Sequence, residues 1–261
     1  MSCDTPLPLK RRWFHVVSCH VLWRELCYFA ALSKNVFTFH FLKQGLHNTP
    51  EILRKELQHA IDIAPTECSH ILVGYGLCSN GVEGITARDK PLVIMRGHDC
   101  ITFLLGSKER YREYFDAHPG TYWYSPGWID TNLQPGKDRF EAAKKHYIET
   151  YGEENAKYLL QTEQAWMQKY SNAAYVDLGF GDTAHYKSYT KQCAEWLHWN
   201  CDILEGDPRL VIDFVEGNWR DEDVLVVPPG ETITASHDEC ILAKKSWDGM
   251  TTCCGKHFPR T

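Results

Sequence analysis

Three cysteines and one histidine carry the chemistry for which this sequence can be read. Cys78 follows the apolar run Ile71–Tyr75 and the glycines Gly74 and Gly76. Cys100 follows Pro91–Met95 and Gly97, with His98 two residues before it. Cys19 closes a third apolar run, Trp13–Ser18. Thiolate and imidazole are the ligands of soft and borderline metals. Three thiolates with one imidazole complete a zinc site, and three protein ligands with one open position make a catalytic one. Three thiolates also hold a [4Fe-4S] cluster that leaves one iron open. Without a metal, a thiol at a helix N-terminus is a nucleophile. The plainer alternative is packing, with the cysteines as turn fillers and His98 or Asp99 capping the helix that follows.

Any of these uses needs elements that bring residues 59 and 22 positions apart to one place. A buried strand, a glycine turn, a polar or thiol residue and then a helix is how open α/β sheets build sites, outside the carboxyl ends of the strands. Trp13–Ser18 and Val36–Leu42 read as the first two strands, with a helix between them on Leu22, Leu26, Phe29 and Ala30. Pro50 opens a second helix, capped by Asn48 or Thr49, with Ile52, Leu53, Leu57, Ala60 and Ile61 on its buried face. Strands three and four are the two runs that deliver Cys78 and Cys100. A helix over Thr102–Phe115 and an aromatic strand over Thr121–Trp128 follow, then a helical region over Asp138–Tyr170 that divides after Gly152. Ala174–Phe180 reads as a strand, and Asp182 or Thr183 caps the helix after it. Asp202–Leu204, Leu210–Val215 and Asp223–Val227 read as further strands.

Strands alternating with helices argue for an α/β fold with a largely parallel sheet and flanking helices, of Rossmann-like form. Residues 1–235 are read as the α/β domain, divisible into pseudo-repeated lobes at 13–118 and 121–234. Residues 236–261 are read as an irregular tail rich in Cys and His.

The chain has 261 residues, a net charge of −6 and no long basic run, which disfavours nucleic acid as a partner. No apolar run approaches the ~20 residues of a membrane span. The N-terminus lacks the apolar core of a signal peptide, so a cytoplasmic location is expected. Eleven cysteines in such a chain do not suit a secreted disulfide framework. Cys3, Cys27, Cys68, Cys193 and Cys201 read as fillers or surface residues.

Arg96, in the turn that delivers His98 and Cys100, offers a planar fork for an anionic group. Tyr122, Tyr124 and Trp128 read as pocket walls for a small-molecule substrate, or as ordinary aromatic packing. His237 and Cys240, then Cys253 and His257, form a second possible zinc set with unusual spacing. The glycine-rich segment from Gly74 fits neither the dinucleotide fingerprint nor the phosphate loop, and no Ser/His/Asp or HExxH motif is present. No residue is assigned as a catalytic acid or base.

GYGLCSNGVEGI (74–85), PLVIMRGHDCITFLLGSKERY (91–111) and PGTYWYSPGW (119–128), with LKQGLHNTPEILRKEL (42–57) and SCHVLWREL (18–26), resemble the bacterial and archaeal family labelled domain of unknown function 1638. Where that family typically has Pro-Arg before the His-x-Cys pair, this chain has Met95-Arg96. The resemblance implies an anaerobic setting and a link to corrinoid-dependent methyltransferase systems, without an established reaction. The His98-x-Cys100 spacing is also similar to the zinc motif of methylcobalamin–thiol methyltransferases. Three functions follow as expectations. The first is a metalloprotein, as a zinc or iron–sulfur transferase or lyase, acting on a small thiol, methyl or corrinoid-linked substrate. The second is a non-enzymatic accessory protein that carries or inserts a metal or cofactor. The third is a metal-free thiol enzyme.

Overall fold

The structure, a computed structural model, describes residues 11–253 and 256–257. Its first half runs β1 (Trp13–Cys19), α1 (Trp23–Leu32), β2 (Val36–Leu42), α2 (Pro50–Asp62), β3 (His70–Gly74), β4 (Leu92–Met95), α3 (Cys100–Leu105), α4 (Lys108–Ala117), β5 (Thr121–Tyr124) and α5 (Pro126–Thr131). It continues with α6 (Lys137–Gln164), β6 (Asn172–Asp177), α7 (Thr183–Leu197), β7 (Asn200–Glu205), α8 (Arg209–Glu216), β8 (Val224–Val227), β9 (Thr232–Ala235), β10 (Leu242–Lys245), β11 (Thr251–Cys253) and β12 (Lys256–His257). The chain forms two compact units. One takes the described residues up to Cys100 and those from Arg209 onward, and the other is Ile101–Pro208.

The first unit is built on a five-stranded sheet in the order β2-β1-β3-β4-β8. The pairs β1–β2, β1–β3 and β3–β4 are parallel, and β8 closes the edge antiparallel to β4. Parallel strands covered on both faces read as continuous apolar runs, and β3 and β4 do so. Val16, Val17, Leu72, Val73, Leu92, Val93 and Ile94 are wholly buried. On α2, Leu53, Leu57 and Ala60 recur at helical spacing and are likewise buried. The strand order places β1 between β2, which follows it in the chain, and β3. Ser18 of β1 pairs in register with Gly74, the last residue of β3, and the Ser18 hydroxyl donates to the Gly74 carbonyl at 3.0 Å.

The pairing of β4 with β8 explains why the units are not consecutive. The chain leaves the first sheet after β4, builds the whole second unit and returns at Arg209. Lobes at 13–118 and 121–234 therefore do not coincide with the compact units, because a pairing across that sequence distance leaves no local trace.

The second unit holds a parallel three-stranded sheet, β5-β6-β7. Tyr124, Ala173, Tyr175, Tyr186, Cys193 and Ala194 form its aromatic core. α6 breaks at Gly152, whose φ of 79° lies in the left-handed region, where the sequence divides the helical region. Asp182 caps α7 by accepting from the His185 N–H. Ser125 caps α5 in the same way, accepting from Trp128 N at 3.3 Å, and is fully buried. Ser125→Ala should destabilise the protein by about 1–2 kcal/mol in chemical denaturation, since it leaves a buried cap donor unmatched.

Several sequence expectations are corrected. Leu210–Val215 is helix α8, not a strand: Leu210, Val211, Phe214 and Val215 share a buried face at i, i+1, i+4 and i+5, a helical period hidden in an apolar run. The helix expected over Thr102–Phe115 is two helices, parted by Gly106 at φ 74°, where a Cβ would meet the Asp207 carbonyl at 2.7 Å. The aromatic strand ends at Tyr124, because the Ser125 cap and Pro126 start α5. Beyond Ser236 the segment read as irregular supplies β10, β11 and β12, which join β9 in an antiparallel sheet of order β12-β11-β10-β9. Among the described residues no helix is long and apolar enough to cross a membrane.

Candidate functional site

The carboxyl ends of β1, β3 and β4 lie side by side, so the residues just beyond them line one edge of the sheet. Cys19 ends β1, Cys78 lies in the loop after β3, and Cys100 begins α3 after β4. Cys19 is buried, while Cys78 and Cys100 are half-buried. The two loops are laced together: Leu77 N donates to the Gly97 carbonyl at 2.8 Å, and Cys78 N to the His98 carbonyl at 2.9 Å. Gly76 makes that approach possible, since a Cβ there would lie 2.7 Å from Gly97 O and 2.9 Å from Asp99 N. Cys78, Ser79 and Asn80 are all left-handed, at φ 46°, 57° and 64°. Three successive non-glycine residues in that region store backbone strain, a feature that concentrates at functional loops.

The three thiols share one electrostatic environment. Burial raises all of them. Cys78 is pushed up further by the charges of Asp99 and Cys19, and Cys100 by Asp99, Cys19, Cys78 and Glu25. All three are therefore protonated thiols at neutral pH unless a cation replaces the proton. In metal-free protein, iodoacetamide labelling of Cys78 and Cys100 should be slow near pH 8 and should climb only above the ordinary thiol value of about 9. Peptide mass spectrometry checks this, and fast labelling at neutral pH would mark a nucleophile instead.

Three neighbours complete the surroundings, of which sequence reasoning noted only Glu25, as a polar group near a strand end. Tyr75 is buried; its hydroxyl makes no hydrogen bond of regular geometry, although the Cys19 sulfur is close enough to act as a weak partner. Glu25, in the first turn of α1, is fully buried, and its charge reaches Cys100 and Cys27. His47, in the loop after β2, is held neutral by burial, opposed by the Asp99 carboxylate. Asp99 thus touches the environment of Cys78, Cys100 and His47. The available signal was position beyond a strand end, which Glu25 shares and which His47 shows only once β2 is placed.

The other sequence candidates divide. His98 is exposed, and its contact with the neighbouring loop is made by its carbonyl. Arg96 does not wait for an anion: it is 2% exposed and spends its guanidinium on the backbone carbonyls of Asp221, Cys240 and Leu242. Tyr122, Tyr124 and Trp128 belong to the second unit. There Trp128 Nε1 donates to Tyr122 Oη at 3.3 Å, and Tyr124 Oη to the Pro135 carbonyl at 3.2 Å, so these side chains are committed to the unit's own packing. Of the second zinc set, Cys240 and Cys253 come together with Asp238, and His237 is exposed. Cys3, Cys254 and the His257 side chain lie outside the described residues.

Asp238, Cys240 and Cys253 are, among the described residues, the group of three whose ligand atoms all lie within 4.8 Å of one another. Cys19, Cys78 and Cys100 gather more loosely.

An α/β unit with thiols beyond the carboxyl ends of its central parallel strands defines the class of protein. The family model described as "Protein of unknown function (DUF1638)" matches residues 41–215, and the chain belongs to that family. The matched span includes Cys78 and Cys100 and leaves out Cys19 and the C-terminal sheet. Comparison with curated proteins found no match, and neither did comparison with solved structures.

Proposed function

We propose that this protein is a thiol-ligated metalloprotein whose centre is held by Cys19, Cys78 and Cys100. The observation that supports the reading is that three adjacent parallel strands each carry a thiol at or beyond the carboxyl end, near enough for Cys19 to act on the charge of Cys78 and Cys100. The order β2-β1-β3-β4 reads as a doubly wound, Rossmann-like sheet whose switch point falls between β1 and β3, the place where open α/β sheets bind ligands. Cys19 and Cys78 flank that point.

Three thiolates suit a [4Fe-4S] cluster, which would supply Lewis-acid or redox chemistry at an iron that no protein thiolate occupies. The protein's own groups prepare the surroundings. The Tyr75 hydroxyl supplies a polar contact beside Cys19. His47, kept neutral, can accept or release a proton beside Asp99. The partial exposure of Cys78 and Cys100 gives a small substrate a way in, and a thiol-, methyl- or corrinoid-linked compound suits a soft centre. A metal-free thiol enzyme is the weaker reading, because nucleophilic cysteines need a lowered pKa and burial raises these.

A second reading is an accessory protein that passes its metal to a partner such as a corrinoid methyltransferase system. The exposure of Ser79 and Asn80 at the tip of the Cys78 loop favours it. One experiment serves both readings. Protein purified without oxygen should contain several equivalents of iron and sulfide and show broad visible absorption, both lost in Cys78→Ser/Cys100→Ser. Rapid loss of iron to a mild chelator selects the accessory role. Colourless protein without iron, or iron retained by the double variant, sinks the cluster.

A further inference from the structure

The C-terminal sheet has short strands and its own cluster of donors. Asp238 and Cys240 lie in the turn between β9 and β10, and Cys253 ends β11. Cys253 is 3% exposed, and its Sγ lies 3.9 Å from Asp238 Oδ1. That carboxylate is fixed by Cys240 N at 2.9 Å and Ser236 Oγ at 2.6 Å. The two sulfurs are in bonding contact, as an oxidised pair, with Cα atoms 6.4 Å apart. Beneath them lies the buried Arg96. Its Nη1 stands 3.8 Å from Cys253 Sγ and donates to the carbonyls of Cys240, at 3.0 Å, and Leu242, while Nε donates to the Asp221 carbonyl at 2.7 Å.

We infer that in the reduced chain Asp238, Cys240 and Cys253 form a structural site for one divalent ion of the zinc type, separate from the thiol trio. Two sulfurs and a carboxylate oxygen on a short turn and a facing strand suit one small ion. A disulfide uses neither a third acidic donor nor a buried cation beside its sulfur. A metal site uses both. Asp238 supplies the third ligand, leaving a fourth position for water or a further side chain. Arg96 donates toward a ligating sulfur and favours its thiolate form, as groups behind metal ligands do. The charges also fit: three from the ligands against two from the ion and one from Arg96, with Asp221 the other acidic neighbour of that guanidinium.

The ion would add to the small core of this sheet, where Ile233 and Leu242 are wholly buried, since structural zinc contributes folding energy to small elements directly. Its effect reaches the other site. β9 pairs with the stretch after Cys78, through Gly84 N to Ile233 O and Ile233 N to Ile85 O, both at 2.8 Å. The site therefore braces the loop that carries Cys78.

Protein made in zinc-supplemented medium and purified without oxygen, with a phosphine reductant, tests this by elemental analysis. One equivalent of zinc is expected in the wild type and in Cys78→Ser/Cys100→Ser. Asp238→Ala should bind zinc at least tenfold more weakly in competition with a chromogenic chelator, and Cys253→Ser should hold none. Because Cys253→Ser removes a buried group, cobalt replacing zinc in the unaltered chain gives an independent reading. Sulfur-to-cobalt charge-transfer absorption of two-thiolate intensity supports the site. Zinc absent from reduced wild-type protein, zinc retained by Cys253→Ser, or cobalt without that absorption overturns it. Wild-type protein that holds zinc but no iron would reject the cluster alone, so the two sites fail separately.

Discussion

Arg96→Met should destabilise the protein by about 3–5 kcal/mol, the largest effect of a single substitution foreseen here. Arg96 is 2% exposed and ends β4's loop under the C-terminal strands. Its side chain donates to the carbonyls of Asp221, Cys240 and Leu242, and its own N–H donates to Asp223 O at 2.8 Å. Methionine fills much of the volume but takes a donor from three carbonyls; Cys240 O keeps its bond from Leu242 N at 2.6 Å, while Asp221 O loses its guanidinium partner, and each buried acceptor left unmatched costs about 1–3 kcal/mol. The loss falls on one region, since all three carbonyls belong to the segments that close the first unit. Urea denaturation should show the fall in midpoint. Amide exchange should show it concentrated in β9 to β11, with β1 and β3 retaining protection. Arg96→Lys should recover only part, because a lysine ammonium cannot span carbonyls that lie in different directions. An Arg96→Met protein as stable as the parent would mean that water replaces the fork, and the brace assigned to this residue would fail.

Arg96 also shows where sequence reading stopped. A charged residue after a strand and beside His98 and Cys100 looks like a substrate ligand, because only the chain's far end reveals its partners. The strands β1 to β4 and the helices α1 and α2 were legible, since β1, β3 and β4 write apolar runs, β2 alternates its phenylalanines, and a glycine turn follows β2, β3 and β4. The meeting of strand ends was legible too, because parallel strands put equivalent positions on one edge. Non-local choices were not. The antiparallel return of β8 beside β4 decides which segments share a unit, and no residue near either strand announces it. α8 was missed because Leu210–Val215 is short and apolar, and at that length a buried helix and a buried strand have similar residues. Asp238 was passed over among the C-terminal Cys and His residues because turn geometry, not spacing, brings its carboxylate to Cys253. His47 entered the site by the same route, through a loop whose end point only the sheet defines.

Gly76→Ala should empty the thiol trio of metal while leaving the fold in place. The added Cβ would sit 2.7 Å from Gly97 O and 2.9 Å from Asp99 N, both backbone atoms that cannot rotate aside. Relief requires the β3 and β4 loops to part, which weakens the bonds from Leu77 N to Gly97 O and from Cys78 N to His98 O. Overpacking of this kind costs about 1–3 kcal/mol, within what a domain of this size survives. The consequence for the site is larger than for stability, since those two bonds hold Cys78 against the segment that carries Cys100. A cluster bound by three thiolates loses affinity steeply when one moves by an ångström, so iron content should drop at least tenfold, with zinc at the C-terminal set unchanged. Cys78→Ser provides the contrast: it removes one ligand without moving the backbone and should also lose iron, but with metal-free stability close to the parent's. A Gly76→Ala protein that holds its full complement of iron would show that loop contact does not set the position of Cys78, and the convergence of the trio would then owe nothing to that glycine.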